Sequence, residues 1–430
     1  MKAMQHMVLG TRLDEGKPAA CTRPAVKLAG VCRGSRCAVT IGERDLARHV
    51  LFVGSSGSGK TNCIAELLAQ VKGQMRPHDS MLVFDPKGDF LPFASASDVV
   101  VSSRGSSACW NLFGEVVADG WDEANVRENA REICQTVFAE TIERSQSPFF
   151  PKAARDLMAD VIAAMSLVGA DDRDFRHRHL HNEALATYLR EADATRLTEF
   201  LSRVPSCSGS LKYLGDGSSD QALGVLAELQ EAAEALFAGD FGRAGVFSAR
   251  QFQRTGGGTV FVEYDVARAS SPAYQVIVDT FIKEALSRDH DATGTVTLII
   301  DELKMLPHLL FLENALSFGR SQGLRIVAAL QSVEQLYEVY GEVGGRVLAS
   351  GFQTLACFST NNAATREFVQ GVCGGSLSEL SWLSADGRSR AELREGHVVE
   401  DWDLTRLGIG EAVVLQPGSD PFEFSFERYR

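Results

Sequence analysis

The chain has 430 residues, 45% hydrophobic and 23% charged, with a formal net charge of −13. That length allows a large core and two domains, and the composition is that of an ordinary soluble globular protein. No apolar stretch approaches the roughly 20 residues that cross a bilayer; the longest, residues 157–168, is short and broken by Asp160. Residues 1–10 lack the charged and hydrophobic regions of a secretory leader, so a cytoplasmic location is expected. Nine cysteines without a paired C-x-x-C framework read as reduced thiols. The acidic balance argues at first against nucleic acid, but charge is unevenly placed. Residues 115–245 carry 23 acidic and 13 basic side chains, whereas residues 1–48 carry four acidic and nine basic ones.

In chain order, strand-like runs recur at residues 50–53, 81–84, 99–102, 260–264, 296–300, 325–330, 354–358 and 412–415, most followed by a helical pattern. Strands alternating with helices imply a parallel sheet covered on both faces. The first run leads into Gly54, Ser55, Ser56, Gly57, Ser58, Gly59, Lys60, Thr61 and Asn62. This is a Walker A phosphate loop in its proper setting, strand then glycine-rich turn then helix. The turn gathers backbone N–H groups around phosphates, and the helix N-terminus adds its positive dipole end. Lys60 would reach the β- and γ-phosphates of ATP, and the Thr61 hydroxyl would take one Mg²⁺ position. Ile64, Leu67, Leu68 and Val71 form one stripe of the helix that follows.

Alternation stops between about residues 113 and 250, where helical patterns follow one another at 122–143, 152–168, 182–190, 194–204 and 221–237. Ala154, Leu157, Met158, Val161, Ile162 and Met165 make a clean apolar stripe. An all-helical insertion in a split α/β domain accounts for the pattern. His177, His179 and His181 alternate like a strand or loop face and read as a solvated polar connector rather than a metal site.

The run at 296–300 ends in two carboxylates, Asp301 and Glu302. Paired with the phosphate loop they read as Walker B: Asp301 in the Mg²⁺ shell, Glu302 polarising the attacking water. The alternative is that Asp301 only caps the next helix. Gln331, at the tip of the neighbouring strand, fits a γ-phosphate sensor. Arg320, on the loop before that strand, fits an arginine finger for a neighbouring subunit's nucleotide. For both, the plainer reading is a surface polar residue on a loop.

Taken together, the phosphate loop, the Asp85-Pro86-Lys87-Gly88-Asp89 loop after the second strand, Asp301-Glu302, and the run from Gly319-Arg320-Ser321-Gln322-Gly323 to Gln331-Ser332 resemble type IV coupling proteins. These are the VirD4/TraG/TraD ATPases of conjugation and type IV secretion, within the HerA–FtsK class. Phe149-Phe150-Pro151-Lys152 at the start of the helical stretch and Gly256-Gly257-Gly258-Thr259 before Walker B add to the likeness.

The resemblance implies an α/β fold: a RecA-like P-loop NTPase with a parallel central sheet, split by an inserted all-α domain. The expected partition is 1–44 as an N-terminal segment, 45–114 and 246–430 as the two parts of the nucleotide-binding domain, and 115–245 as the insertion. The resemblance further implies ATP and Mg²⁺ as cofactors, self-association into a hexamer, non-sequence-specific DNA binding, and secretion-channel or relaxosome partners. By the same route Arg48 matches an arginine near an adjacent nucleotide, and residues 85–89 face either the nucleotide or the pore. One departure stands out. Usual members begin with transmembrane helices, and nothing in the first 45 or so residues here can span a membrane. Either the chain is a soluble variant recruited peripherally to the inner membrane by a membrane-anchored partner, or the anchor was removed or lies on another chain; a cytoplasmic relative using the same motor for another task is the further alternative. The function expected is a DNA-translocating coupling ATPase. The alternatives are a soluble HerA-like motor in DNA processing or defence, and a cargo receptor docking substrates on the helical insertion.

Overall fold

The computed structural model describes residues 4–13, 15–265, 271–289, 292–383 and 389–429. In chain order the strands are β1 Met4–Leu9, β2 Pro24–Cys32, β3 Ser35–Gly42, β4 Val50–Val53, β5 Ser80–Asp85, β6 Val99–Ser102, β7 Gly258–Glu263, β8 Val296–Ile300, β9 Leu324–Leu330, β10 Thr354–Phe358, β11 Gly375–Leu383, β12 Ser389–His397, β13 Glu411–Leu415 and β14 Phe422–Phe426. Every run expected as a strand is one. The chain forms two compact units: Met1–Met75, Thr297–Lys304 and Leu316–Arg430 make the first, Arg76–Val296 and Met305–Ala315 the second.

In the first unit the strand order is β3-β2-β14-β13-β10-β4-β9-β8. β4, wholly apolar and buried, runs parallel to β10 on one side and β9 on the other, with Val50 opposite Thr354 and Val327. A strand buried on both faces needs apolar residues at every position, which is why it reads as a continuous run. Beyond β10 the sheet turns antiparallel through β13, β14, β2 and β3. The expected parallel central sheet is present around β4, and the antiparallel strands extend it at one side. Residues 416–421 between β13 and β14 are too few for a crossover of a dozen or so residues, so the two strands must pair as a hairpin.

The N-terminal segment, expected as a plain lead-in, also contributes to this sheet through β2 and β3. Their two-residue turn, Arg33-Gly34, has φ of 51° and 73°, the left-handed geometry that matches strand twist. The helix Lys60–Gly73 buries Cys63, Ile64, Leu67, Leu68 and Val71 and lies along β2. Its Gln70 side chain accepts from Lys27 N at 2.9 Å and donates to Lys27 O at 2.8 Å. A separate small sheet runs β1-β11-β12.

In the second unit β5, β7 and β6 pair in parallel, in that order. Helices Glu123–Arg144, Phe149–Asp171, Arg173–His179, Asn182–Arg190, Ala194–Leu201 and Asp220–Leu236 follow one another between β6 and β7. The expected stripe from Ala154 to Met165 is buried. Both ends of this helical stretch meet at Glu115, which is fully buried. Its carboxylate accepts from Trp110 Nε1 at 3.0 Å, Ser248 Oγ at 2.8 Å, Ala249 N at 2.6 Å and Arg250 N at 3.1 Å. Burial pushes the Glu115 pKa up, and these donors oppose the rise.

The histidine stretch is corrected from strand or loop to helix. Asp172 caps Arg173–His179 by accepting from Phe175 N at 2.9 Å, and His181 Nδ1 accepts from Ala184 N at 3.2 Å as the cap of the next helix. Among the described residues, no helix is long and apolar enough to cross a membrane.

Candidate nucleotide site

The first unit brings four of the expected site residues together in two pairs. The phosphate loop leaves β4 at Gly54, whose N–H donates to Leu330 O of β9 at 3.1 Å. Gly54, Gly57 and Gly59 have φ of 150°, 75° and 115°. At Gly54 a Cβ would stand 2.7 Å from Phe358 Cβ, so a side chain is excluded there. Gly59 is the N-cap of the following helix and supplies no side-chain acceptor, which leaves the first-turn N–H groups available to an anion. Ser55, Ser56 and Gly57 are exposed at the loop's crest, and the buried Ser58 hydroxyl lacks a hydrogen-bond partner.

Lys60, 7% exposed, is folded over the loop, its Nζ donating to Gly54 O at 2.5 Å and Ser55 O at 3.0 Å. Thr61 Oγ1 donates to Asp301 Oδ1 at 3.1 Å. The end of β8 thus places the Walker B aspartate against the hydroxyl beside the phosphate loop, as a shared cation shell requires. Glu302 is 4% exposed. Its Oε2 accepts from Gln331 Nε2 at 2.8 Å, and its Oε1 is buried without a hydrogen-bond partner. Gln331 is itself oriented from behind, its N–H donating to Gln335 Oε1 at 3.0 Å.

An ammonium over a glycine loop, uncapped helix N–H groups, a hydroxyl–carboxylate pair and an orphaned buried carboxylate oxygen fit a nucleoside triphosphate with its Mg²⁺. Lys60 would hold the phosphates, and Thr61 and Asp301 the cation.

The other expected residues lie apart from these pairs. Asn62 is turned toward the C-terminal strand: its Nδ2 donates to Glu427 O at 3.0 Å and its Oδ1 accepts from Tyr429 N at 2.8 Å. Those bonds occupy its side chain. Arg320 is exposed on the 3-10 turn Gly319–Gln322. Arg48 is half-exposed with Asp45 3.8 Å away, and its carbonyl accepts from Gln353 N at 3.0 Å. In the second unit the loop after β5 closes on itself. The buried Asp85 carboxylate accepts from Lys87 N, Asp89 N and Phe90 N at 3.3, 3.1 and 2.7 Å. Burial raises the Asp85 pKa against those bonds.

Two supports of the site were not anticipated. Gly410 N donates to Ser58 O at 2.9 Å, so the turn before β13 braces the phosphate loop, and a Cβ on Gly59 would come within 3.2 Å of the Gly410 backbone. His49 sits at φ 66°, 1% exposed, with its Nδ1 accepting from Ile326 N at 3.0 Å; it pins the start of β4 to β9. The Gly408-Ile409-Gly410 spacing was the one available signal for the first, and the sequence carries none for the second.

The family model described as type IV secretion-system coupling protein DNA-binding domain matches residues 35–381. The conjugal transfer protein TraG of Agrobacterium fabrum is 23% identical over 178 residues, 39% of this chain and 27% of the relative. The coupling protein TraD of Escherichia coli is 22% identical over 331 residues, 75% of this chain and 43% of TraD. The chain thus matches under half the length of these curated relatives. The solved structure of plasmid coupling protein TrwB in complex with ADP and Mg²⁺ superposes with a TM-score of 0.73 at 20% identity, covering 99% of this chain and 94% of that one. At that identity the likeness speaks for the fold, a P-loop NTPase fold with mostly parallel strands and an inserted helical region. With the family model covering most of its length, the chain belongs to the type IV secretion-system coupling proteins.

Proposed function

We propose that this chain is the ATP-hydrolysing motor of a coupling protein, moving DNA or protein–DNA cargo toward a conjugation or type IV secretion channel. The observation that carries the reading is the paired geometry of Thr61 with Asp301 and of Gln331 with Glu302 beside a phosphate loop. In this reading Lys60 and the loop N–H groups of residues 54–61 grip the phosphates. Glu302 takes the proton of the attacking water through its buried Oε1, and Gln331 holds the other carboxylate oxygen still. Bound Mg²⁺ supplies charge neutralisation at the phosphates. The nucleotide and cation seen in the TrwB structure and the DNA named in the family description support the same assignment.

Arg320, exposed on its turn, serves the site of a neighbouring copy, and Arg48 does the same, a role that the family likeness supports. The ring is a hexamer, with the all-α stretch at 115–245 as an inserted domain and 45–114 with 246–430 as the motor proper. The Asn62 side chain braces the residues that follow β14, and its backbone N–H serves the phosphate loop. DNA is held by its backbone without base reading, and a membrane-anchored partner and channel or relaxosome proteins receive the cargo. ATP turnover measured with and without single- and double-stranded DNA of unrelated sequences tests this. Stimulation by DNA irrespective of sequence is expected. Turnover that stays flat across all DNA additions rejects the motor assignment.

A further inference from the structure

Within the second unit a cavity of about 360 Å³ opens between helix Glu123–Arg144, helix Phe149–Asp171 and the 3-10 turns Pro205–Cys207 and Gly209–Tyr213. Four cations line it: Arg127 and Arg131, one helical turn apart, Arg155 from the second helix, and Lys212 from the turn. Two carboxylates line it as well, and both are engaged. Asp156 accepts from Arg155 at 2.8 Å and from Tyr213 OH at 3.2 Å. Asp160 accepts from Ser210 N at 3.1 Å, and burial pushes its pKa up while Arg127 and Arg131 pull it down. The cavity therefore holds an excess of positive charge inside a stretch, residues 115–245, with 23 acidic and 13 basic side chains.

Two buried polar atoms on its wall lack a hydrogen-bond partner, Arg127 Nε and Ser210 Oγ. The Arg127 Nε–H is buried without a hydrogen-bond acceptor, and the same guanidinium reaches Glu123 only at 3.5 Å. A buried guanidinium donor without an acceptor, at the wall of a cationic cavity, calls for an anionic one.

We infer that this cavity binds a small phosphate-bearing molecule, at a site separate from the nucleotide loop. Donors arriving from two helices and a turn suit a tetrahedral group with several oxygens better than a planar carboxylate held by one fork. The volume falls in the range of small-ligand pockets, and the Tyr213 ring and Ala159 give the rest of such a molecule a less polar wall. A nucleic-acid backbone would instead call for a row of cations along an open groove.

The test uses the full chain carrying Lys60→Ala, so that the phosphate loop loses its lysine, with inorganic pyrophosphate as the probe in titration calorimetry. Saturable binding is expected, weakened about tenfold by Arg131→Ala and again by Lys212→Ala. Both side chains are exposed, so the thermal midpoint stays in place. No saturable heat at millimolar pyrophosphate, or binding untouched by either substitution, overturns the inference. Displacement of pyrophosphate by a short single-stranded oligonucleotide also overturns it, because that result marks a backbone track instead.

Discussion

Replacing Glu302 by Gln separates chemistry from architecture at this site. Gln331 Nε2 donates to Glu302 Oε2 at 2.8 Å, and Oε1 is buried without a partner. Glutamine has the same shape. Its amide oxygen can take the Gln331 hydrogen bond, leaving its NH₂ where an unpartnered acceptor stood before. One orphan replaces another, so fold stability should move by no more than about 1 kcal/mol. Nucleotide affinity, which rests on Lys60 and the loop N–H groups, should hold within about threefold. Turnover loses its proton acceptor and should fall by about 10²–10⁴, a barrier increase of about 3–5 kcal/mol. Phosphate release, nucleotide binding and thermal unfolding measured on one preparation read all three quantities. Turnover within about tenfold of the parent would refute the role of Glu302. A collapsed melting temperature would instead make the Glu302–Gln331 pair a structural element.

Gly59→Ala forces a side chain to φ 115° and within 3.2 Å of the Gly410 backbone, so the melting curve should shift down by an amount equivalent to about 1–3 kcal/mol; an unchanged midpoint would contradict the brace. Asp279 is fully buried, accepts from Thr136 Oγ1 and Leu310 N at 3.0 Å each, and burial lifts its carboxyl to about 7. An unfolded aspartate titrates near 4, so between about pH 4 and pH 7 the native state binds more protons and stability falls as pH rises, by on the order of 2–4 kcal/mol. Denaturant titrations at pH 5 and pH 8 should show that loss in the parent and a smaller one in Asp279→Asn; equal losses would remove Asp279 as the source. Arg320→Ala should depress turnover about a thousandfold or more if it serves a neighbour. Mixing it with Glu302→Gln should then restore part of the activity, and failure to complement would place Arg320 outside the neighbouring site.

The sequence declared the phosphate loop because its grip is made by backbone and glycine, and both are local. β4, β8, β9 and β10 were equally plain, since strands covered on two faces are apolar at nearly every position, with Thr297, Arg325 and Thr354 the exceptions here. The β2–β3 hairpin escaped notice although its Arg33-Gly34 turn and the alternating burial of β2 were both present, because Lys27 and Arg36 interrupt the apolar pattern on the exposed side. Helix Arg173–His179 buries none of its residues, so no apolar stripe could announce it. It is held by the Asp172 cap and by Arg176 donating to Gly169 O at 2.7 Å and Ala170 O at 2.8 Å. The partners of the Asn62 side chain were not legible for another reason: Glu427 and Tyr429, which occupy it, lie some 365 residues away and are brought to it only by the fold.

The bond from Gly410 N to Ser58 O has a consequence for the timing of synthesis. The turn that braces the phosphate loop emerges from the ribosome roughly 350 residues after it, about 20–70 s at ordinary elongation rates. Through the first part of that interval the loop has its glycines and its lysine but neither Asp301 nor β9 and β10 beside it, and through the last part it still lacks the Gly410 brace. Nascent chains stalled before residue 410 should therefore lack the braced phosphate loop, and nucleotide binding should wait on the turn before β13.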